Sequence, residues 1–533
     1  MRREEASGAA PARREPRDPA HDATDQEDQR KVLQCREEKS HFWHGNCAAR
    51  PPAGPARRRD RRPSSRLLAA VAERSRIDQE PVGRGTRRAP PSPAGTTMRQ
   101  IAATKSVAGV VFRTLVTRAV QLCCSLVTGL LIARILQPEG RGIFAVITTV
   151  AGAAIVVGHL SLEKSQIALW SDRSRHRSLT TNGAVLGLAA GSVSALGAIL
   201  LVPVVGWPGE RWLWALALFA VPFGAAAINL NGILMLQSQM DRLNRNYLCC
   251  ALVLCLPVAA LAAVGHVTLT NVVICWAAST ALPFVLAVRI LRPISLRCAG
   301  DLVRRQLSLS SRYHVGWVAM YLMVTTVDVV LLNAMDSPAT VGIYTVAVTV
   351  IALARIPGET INQVVLPEQA ASEVNDAKHI TARALRLNLL VSAALVVGLV
   401  CVSPWLVPLV YGESFAGSVA PLMALAPGMI ALMMVRPLEQ HLVRLDRPTT
   451  MTVVSITALI ANVLLNLVMI PQWGAVGAAL ASTATYILMA ALQSSRFIKS
   501  TGLPARELIP GSADLRLLLR PLTAKLRGGM KIP

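Results

Sequence analysis

The chain reads as an all-α polytopic membrane protein. About twelve transmembrane helices are expected, in two six-helix lobes related by a parallel internal repeat. Three observations lead there. Of 533 residues, 52% are hydrophobic and only 16% charged, with a mean hydropathy of +0.44. A soluble domain carries about 25% charged residues, so a cytosolic enzyme does not fit. Apolar stretches of membrane-crossing length follow one another from residue 107 onward. Short motifs also recur in the same order about 200 residues apart.

A helix needs about 20 apolar residues to cross about 30 Å of hydrocarbon. Span 1 covers 112–136 and stops at Gln137-Pro138-Glu139-Gly140. Span 2 covers 143–161 and stops before Glu163 and Lys164. Spans 3 and 4 cover 183–206 and 212–236, split by Trp207-Pro208-Gly209. Spans 5 and 6 cover 247–265 and 268–291, the second ending at Arg292-Pro293. Spans 7 and 8 cover 313–334 and 341–366, split by Asp336-Ser337-Pro338. Spans 9 and 10 cover 387–411 and 416–435, split by Gly412-Glu413. Spans 11 and 12 cover 450–470 and 474–495, split at Pro471. Strands are excluded from the body, because isolated ones cannot sit in lipid with unpaired backbone groups.

Loop charge sets the orientation. The loops after even-numbered spans are basic: Lys164, Arg173, Arg175 and Arg177; Arg242 and Arg245; Arg292, Arg297, Arg304 and Arg305; Lys378, Arg383 and Arg386; Arg436, Arg444 and Arg447. The loops after odd-numbered spans carry little beyond Arg141 and Arg211. Both termini and every basic loop are therefore expected in the cytoplasm. Trp207, Trp212, Trp405 and Trp473 lie near span ends, as interfacial anchors do. The body cysteines, Cys123, Cys124, Cys249, Cys250 and Cys255 among them, read as packing groups without disulfide or metal spacing.

Four regions follow. Residues 1–97 form a basic head holding 21 of the 55 Lys and Arg and 14 of the 31 acids. That charge density leaves too little apolar surface to offset chain entropy, so the head is expected to be disordered. Its run Arg57, Arg58, Arg59, Arg61, Arg62 reads as solvated, and Cys35, His41, His44 and Cys47 match no common zinc spacing. A start of translation at Met98 is an alternative expectation. Residues 98–306 form the N-terminal lobe, 307–499 the C-terminal lobe, and 500–533 a basic cytoplasmic tail.

The repeat pairs Gly142-Ile143-Phe144 with Gly342-Ile343-Tyr344, 200 residues apart. Leu201-Val202-Pro203 pairs with Leu406-Val407-Pro408, Pro222 with Pro427, and Asp241-Arg242 with Asp446-Arg447, each 205 apart. Six helices return the chain to its starting side, so both halves share one orientation. Such repeats are related by an axis along the membrane normal. A cavity between two rocking lobes, and hence a transporter, is expected.

Certain residues also carry a resemblance. The stretch Leu131-Ile132-Ala133-Arg134-Ile135-Leu136-Gln137-Pro138-Glu139-Gly140-Arg141-Gly142 resembles the span 1–2 signature of polysaccharide flippases, whose usual form is A-R-x-L-G-P-x-x-x-G. Gln137 stands where Gly is common, a departure that stiffens the turn. Asp328-Val329-Val330-Leu331-Leu332, Tyr411-Gly412-Glu413-Ser414-Phe415 and Asn462-Val463-Leu464-Leu465-Asn466 resemble later junctions of that family. The similarity runs over about residues 100–500. It places the chain with the lipid-linked oligosaccharide flippases of the multidrug/oligosaccharidyl-lipid/polysaccharide exporter superfamily. It implies movement of an undecaprenyl-pyrophosphate-linked oligosaccharide from the inner to the outer leaflet of a bacterial plasma membrane. The implied partners are that cargo, membrane lipids, and the polymerase and glycosyltransferases of polysaccharide assembly; no nucleic acid partner is expected. Alternatives are a cation-coupled multidrug exporter of the same fold, a lipid II flippase, and a non-transporting scaffold. The first expects a carboxylate-rich cavity in one lobe, and spans 1–6 offer almost no buried acid.

A flippase for such a cargo needs cations to meet pyrophosphate, and the forked guanidinium of Arg suits phosphate oxygens. Charges inside spans are costly, so each is a functional candidate. Arg118 and Arg134 lie toward opposite ends of span 1, and Arg113 is nearer water than Arg118. Asp328 lies about 20 Å from the cytoplasmic end of span 7. Arg355 and Glu359 lie about 21 and 27 Å into span 8 and share one helix face. The pair reads either as a gate, in which Arg355 exchanges Glu359 for phosphate, or as a mutual buried ion pair. Asn229, Asn231, Asn333, Asn362, Gln363 and Asn466 are either cavity lining or interhelical hydrogen bonds. His159 and His314 have no partner visible in sequence. No catalytic residue, cofactor or metal site is expected, since no nucleophile–base pair, phosphate-binding GxxxxGK[ST] or metal spacing occurs.

Overall fold

The computed structural model describes residues 93–516 except 207, 293–297, 373, 445–447 and 513. The Cys35–Cys47 spacing, the arginine run at 57–62, Trp207, Arg297, Asp446 and Arg447 lie outside the described residues, as does the side chain of Gln363.

Helix α1 (Pro93–Gly158) carries spans 1 and 2 and breaks at Gln137, with φ 58° and ψ 179°. Proline follows, and a residue before proline is pushed out of the α region. The left-handed φ costs an L-residue about 1–2 kcal/mol. Gln137 offsets part of that, because its Nε2 donates to the Arg134 carbonyl at 2.7 Å and covers an open acceptor at the end of span 1.

After the short α2 (Leu162–Leu169), α3 (His176–Val205) forms span 3. Span 4 is made of α4 (Arg211–Phe219) and α5 (Val221–Leu236). Spans 5 and 6 are α6 (Met240–Ala263) and α7 (Leu269–Leu291). Span 7 joins α8 (Gly300–Thr325) to α9 (Val327–Met335) with a 47° bend. Span 8 joins α10 (Pro338–Ala352) to α11 (Arg355–Ala371) with a 45° bend. Spans 9 and 10 are α12 (Val374–Tyr411) and α13 (Val419–Arg444). Helix α14 (Pro448–Thr501) holds spans 11 and 12, parted at Gly474, whose φ of 50° and ψ of −126° suit a residue without Cβ. Among the described residues, ten segments are long and apolar enough to cross a membrane once each bent pair is one span. Two of them, 57 and 53 residues long, are the broken ones and hold two spans each, which makes twelve.

Small residues let the helices approach, as expected where lipid supplies no hydrophobic drive between them. In the first lobe, Gly187 and Gly191 of α3 lie against the backbone of Ala226 and Pro222 of α5. In the second, Gly428 of α13 lies against Thr483 of α14. The two lobes touch at the repeat itself. A Cβ on Gly142 would fall on the Pro338 carbonyl, and one on Gly342 on the Pro138 carbonyl. The contact is reciprocal, as a contact on a twofold axis must be, and it joins residues that the sequence repeat pairs.

Polar groups tie the lobes at both ends of their interface. Near the Gly142–Gly342 crossing, Arg134 of span 1 donates to the Val410 and Leu409 carbonyls of span 9 at 2.7 and 2.5 Å. At the other end, Asn182 donates at 2.7 Å to Gln306, which the structure places in α8 with span 7, and Ser161 Oγ lies 3.0 Å from His314 Nδ1. The tail expected from residue 500 begins with a packed segment. Leu503 and Leu508 are buried with Leu385, Leu438 and Phe497, and Arg386 bonds Asp514 at 2.9 Å and the Glu507 carbonyl at 2.6 Å.

Candidate functional site

A cavity of about 300 Å³ lies between the lobes. Span 2 contributes Arg141, Thr148 and Thr149; span 7, Asp328; span 8, Tyr344, Thr345, Thr349 and Arg355; span 12, Tyr486. A second cavity of about 230 Å³ sits mainly among spans 1, 2, 5 and 6, with Gln121, Ser125 and Trp276 on its wall. Arg141, Phe144 and Thr349 border both.

Asp328 occupies the first turn of α9, just past the break in span 7. A carboxylate is favoured there by the positive end of the helix dipole. The hydroxyls of Tyr344 and Ser482 donate to its Oδ2. Asn466 and Asn462 donate to its Oδ1 at 2.9 and 3.3 Å. Four spans thus converge on one acid, and protein donors take up both its oxygens. Its carboxylate is satisfied without a cation from the cavity.

Arg355 is the first residue of α11, just past the break in span 8. Its Nη2 lies 3.3 Å from Glu359 Oε1, with the two side chains 36% and 54% exposed. The pair is therefore half-open, not a buried ion pair. Its Nε is buried and makes no hydrogen bond among the described residues.

Arg141 is where the structure corrects the sequence reading. Loop counting puts it in an outward turn. In the structure the helix resumes just after Gln137, so Arg141 stands on the first helical turn beyond the break, at the outer end of span 2, and borders both cavities. Among the described residues its side chain forms no hydrogen bond or ion pair, and its Nε is buried. A break signalled by Gln137-Pro138 that leaves helix on both sides was the available clue.

The other expected residues fall elsewhere. Arg118 lies 5.1 Å over the Tyr247 ring and 3.4 Å from Gln121 Oε1, and borders neither cavity. Arg134 is the interlobe clamp described above. Arg113 lies 3.5 Å from Asp241 with both side chains mostly exposed. Asn229 donates to the Gly183 carbonyl at 3.3 Å and Asn388 to Asn362 at 2.9 Å, which are interhelical bonds. His159 and His314 meet across the lobes with ring centres 5.6 Å apart.

Apolar helices of membrane-crossing length, packed as two lobes around a cavity bordered by two arginines, define a multi-pass membrane protein. Solved structures of transporters share the fold. One is a lipid II flippase, MurJ, in an inward closed conformation, with 15% identity and a TM-score of 0.60 over 75% of this chain and 88% of that one. Another is an inward-facing multidrug resistance MATE family transporter of the MOP superfamily, with 14% identity and a TM-score of 0.56 over 73% and 98%. A third is a MOP superfamily transporter from Pyrococcus furiosus, with 14% identity and a TM-score of 0.54 over 75% and 96%. A search of curated proteins returned no match. The chain belongs to the polysaccharide biosynthesis protein family, whose profile matches residues 131–420.

Proposed function

We propose that the protein is a flippase carrying an undecaprenyl-pyrophosphate-linked oligosaccharide from the inner to the outer leaflet by alternating access. The charge of the interlobe cavity carries this reading. Among the described residues two arginines border it against one acid, Asp328, whose oxygens are taken up by four protein donors. An anion entering there meets attraction, and a cationic drug meets repulsion. Pyrophosphate is the hardest part of the cargo to move, since taking an ion into low dielectric costs several kcal/mol. Arg355 exchanges Glu359 for a cargo phosphate, and the guanidinium fork then holds two of its oxygens. A cavity of about 300 Å³ is too small for a sugar chain, so the lobes part to admit it.

On this reading the chain transports without making or breaking covalent bonds. It sits in a bacterial plasma membrane with both termini cytoplasmic, beside the glycosyltransferases that build the cargo and the polymerase that consumes it. Lipid II also carries a pyrophosphate; the family match favours the oligosaccharide. Deleting the gene and analysing lipid-linked sugars by leaflet tests the proposal. Oligosaccharide-lipid should accumulate on the inner leaflet, and the restored gene should clear it. Accumulated lipid II would replace the cargo with that one. Unchanged lipid-linked sugars and a normal surface glycan would overturn the proposal.

A further inference from the structure

We infer that Arg141 is a second anion position at the outer end of the cavity, to which the cargo diphosphate passes after leaving Arg355. This rests on the flippase reading. Arg141 adjoins Gly142, so it stands level with the crossing of spans 2 and 8. From Val341 at that crossing, α10 runs inward to Ala352 for about 16 Å before the break that leads to Arg355. There the Arg355 guanidinium pairs with Glu359 and also borders the cavity. The two backbones thus stand at different levels of one cavity, and the arginines are read as successive positions on one path.

The two positions differ in the way a directed path requires. Arg355 keeps a counter-ion when empty and gives it up on loading. Arg141 has none among the described residues, and its Nε is buried without a partner. A guanidinium in that state is costly and stays that way unless an anion arrives. The repeat does not demand it. Its counterpart 200 residues on is Val341, and the counterpart of Arg355 is Ile155, so each lobe supplies one cation at opposite ends. Thr149 lines the same wall, whereas the hydroxyls of Thr148 and Thr345 donate to the Phe144 and Gly342 carbonyls of their own helices.

The test uses the purified full chain with undecaprenyl diphosphate as probe. Retention is read by mass spectrometry in nanodiscs. Transfer is read in proteoliposomes by an added phosphatase. Arg355→Gln should retain about tenfold less lipid than wild type or lower, because loading fails. Arg141→Met should retain as much as wild type or more, yet transfer at least about tenfold more slowly. It should also melt no lower than wild type, since it removes a charge that has no ion pair or hydrogen bond among the described residues. Arg141→Lys should restore part of the transfer.

Normal transfer by Arg141→Met overturns the inference, and so does a large fall in its melting temperature, which would make Arg141 structural. Equal loss of retention in both variants makes them one site and overturns the order. Inorganic pyrophosphate should compete weakly; displacement of the lipid at equal concentration would make the position one for a soluble anion and overturn the relay. Wild-type protein that neither retains nor moves the probe overturns the cargo reading and the relay with it. A defect confined to Arg141→Met transfer leaves the cargo reading standing and supports the relay.

Discussion

Arg355 and Asp328 illustrate two uses of a charge among apolar helices. The Arg355–Glu359 pair is half-exposed, so it contributes little to stability, about 0–1 kcal/mol. Arg355→Ala should therefore keep normal membrane abundance while export fails, and Arg355→Lys should keep partial export, having the charge without the fork. The double variant Arg355→Ala/Glu359→Ala should match the single one; if it exports normally, the cationic gate is wrong. Asp328 is the opposite case. Asp328→Asn turns an acceptor of four hydrogen bonds into a group with one acceptor oxygen and faces buried donors with an amine. About 2–3 kcal/mol of stability should be lost, read as a lower melting temperature in detergent. An unchanged melting temperature would mean that these donors find other partners.

At the scale of elements, the breaks matter more than the helices. Spans 7 and 8 bend by 47° and 45°, and each bend presents one charged residue, Asp328 or Arg355, at the start of the next segment. Interrupted helices are where polar backbone and charge are tolerated in a membrane, because they face a cavity rather than lipid. The crossing of spans 2 and 8 is the other element that decides access. Gly142→Ala places a methyl on the Pro338 carbonyl and should wedge the lobes apart. A cysteine at Thr345 should then react several-fold faster with an impermeant maleimide from outside. Gly197→Ala is the control, since nothing lies within 4 Å of the added methyl and the helix gains about 1 kcal/mol in propensity. Equal reactivity in the two backgrounds would show that the crossing does not seal the cavity.

For the molecule as a whole, orientation is the property to test. Cysteines placed at 173, 175 or 304 in a cysteine-free background should label only from the cytoplasmic side, following the basic loops. Labelling from outside would invert the topology and exchange the ends at which Arg355 and Arg141 act. A chain beginning at Met98 should insert and export like the full one, because residues 1–97 supply no apolar span. Loss of export on that truncation would give the head a role.

Hydropathy and the repeat determine twelve spans, two lobes and the pairing of Gly142 with Gly342. These are properties of single residues and their spacing: the cost of a polar backbone in lipid acts locally, and a repeat is visible as order along the chain. Partnership is a property of pairs. That Asp328 would be met by Tyr344, Asn462, Asn466 and Ser482 depends on how spans 7, 8, 11 and 12 pack. That Arg134 would bond span 9 depends on the lobes meeting. Arg141 shows the limit most clearly. Loop charge is a one-dimensional signal that counts Arg141 with the turn, and only the break at Gln137 and the crossing beyond it put that guanidinium against the cavity with no ion pair or hydrogen bond among the described residues.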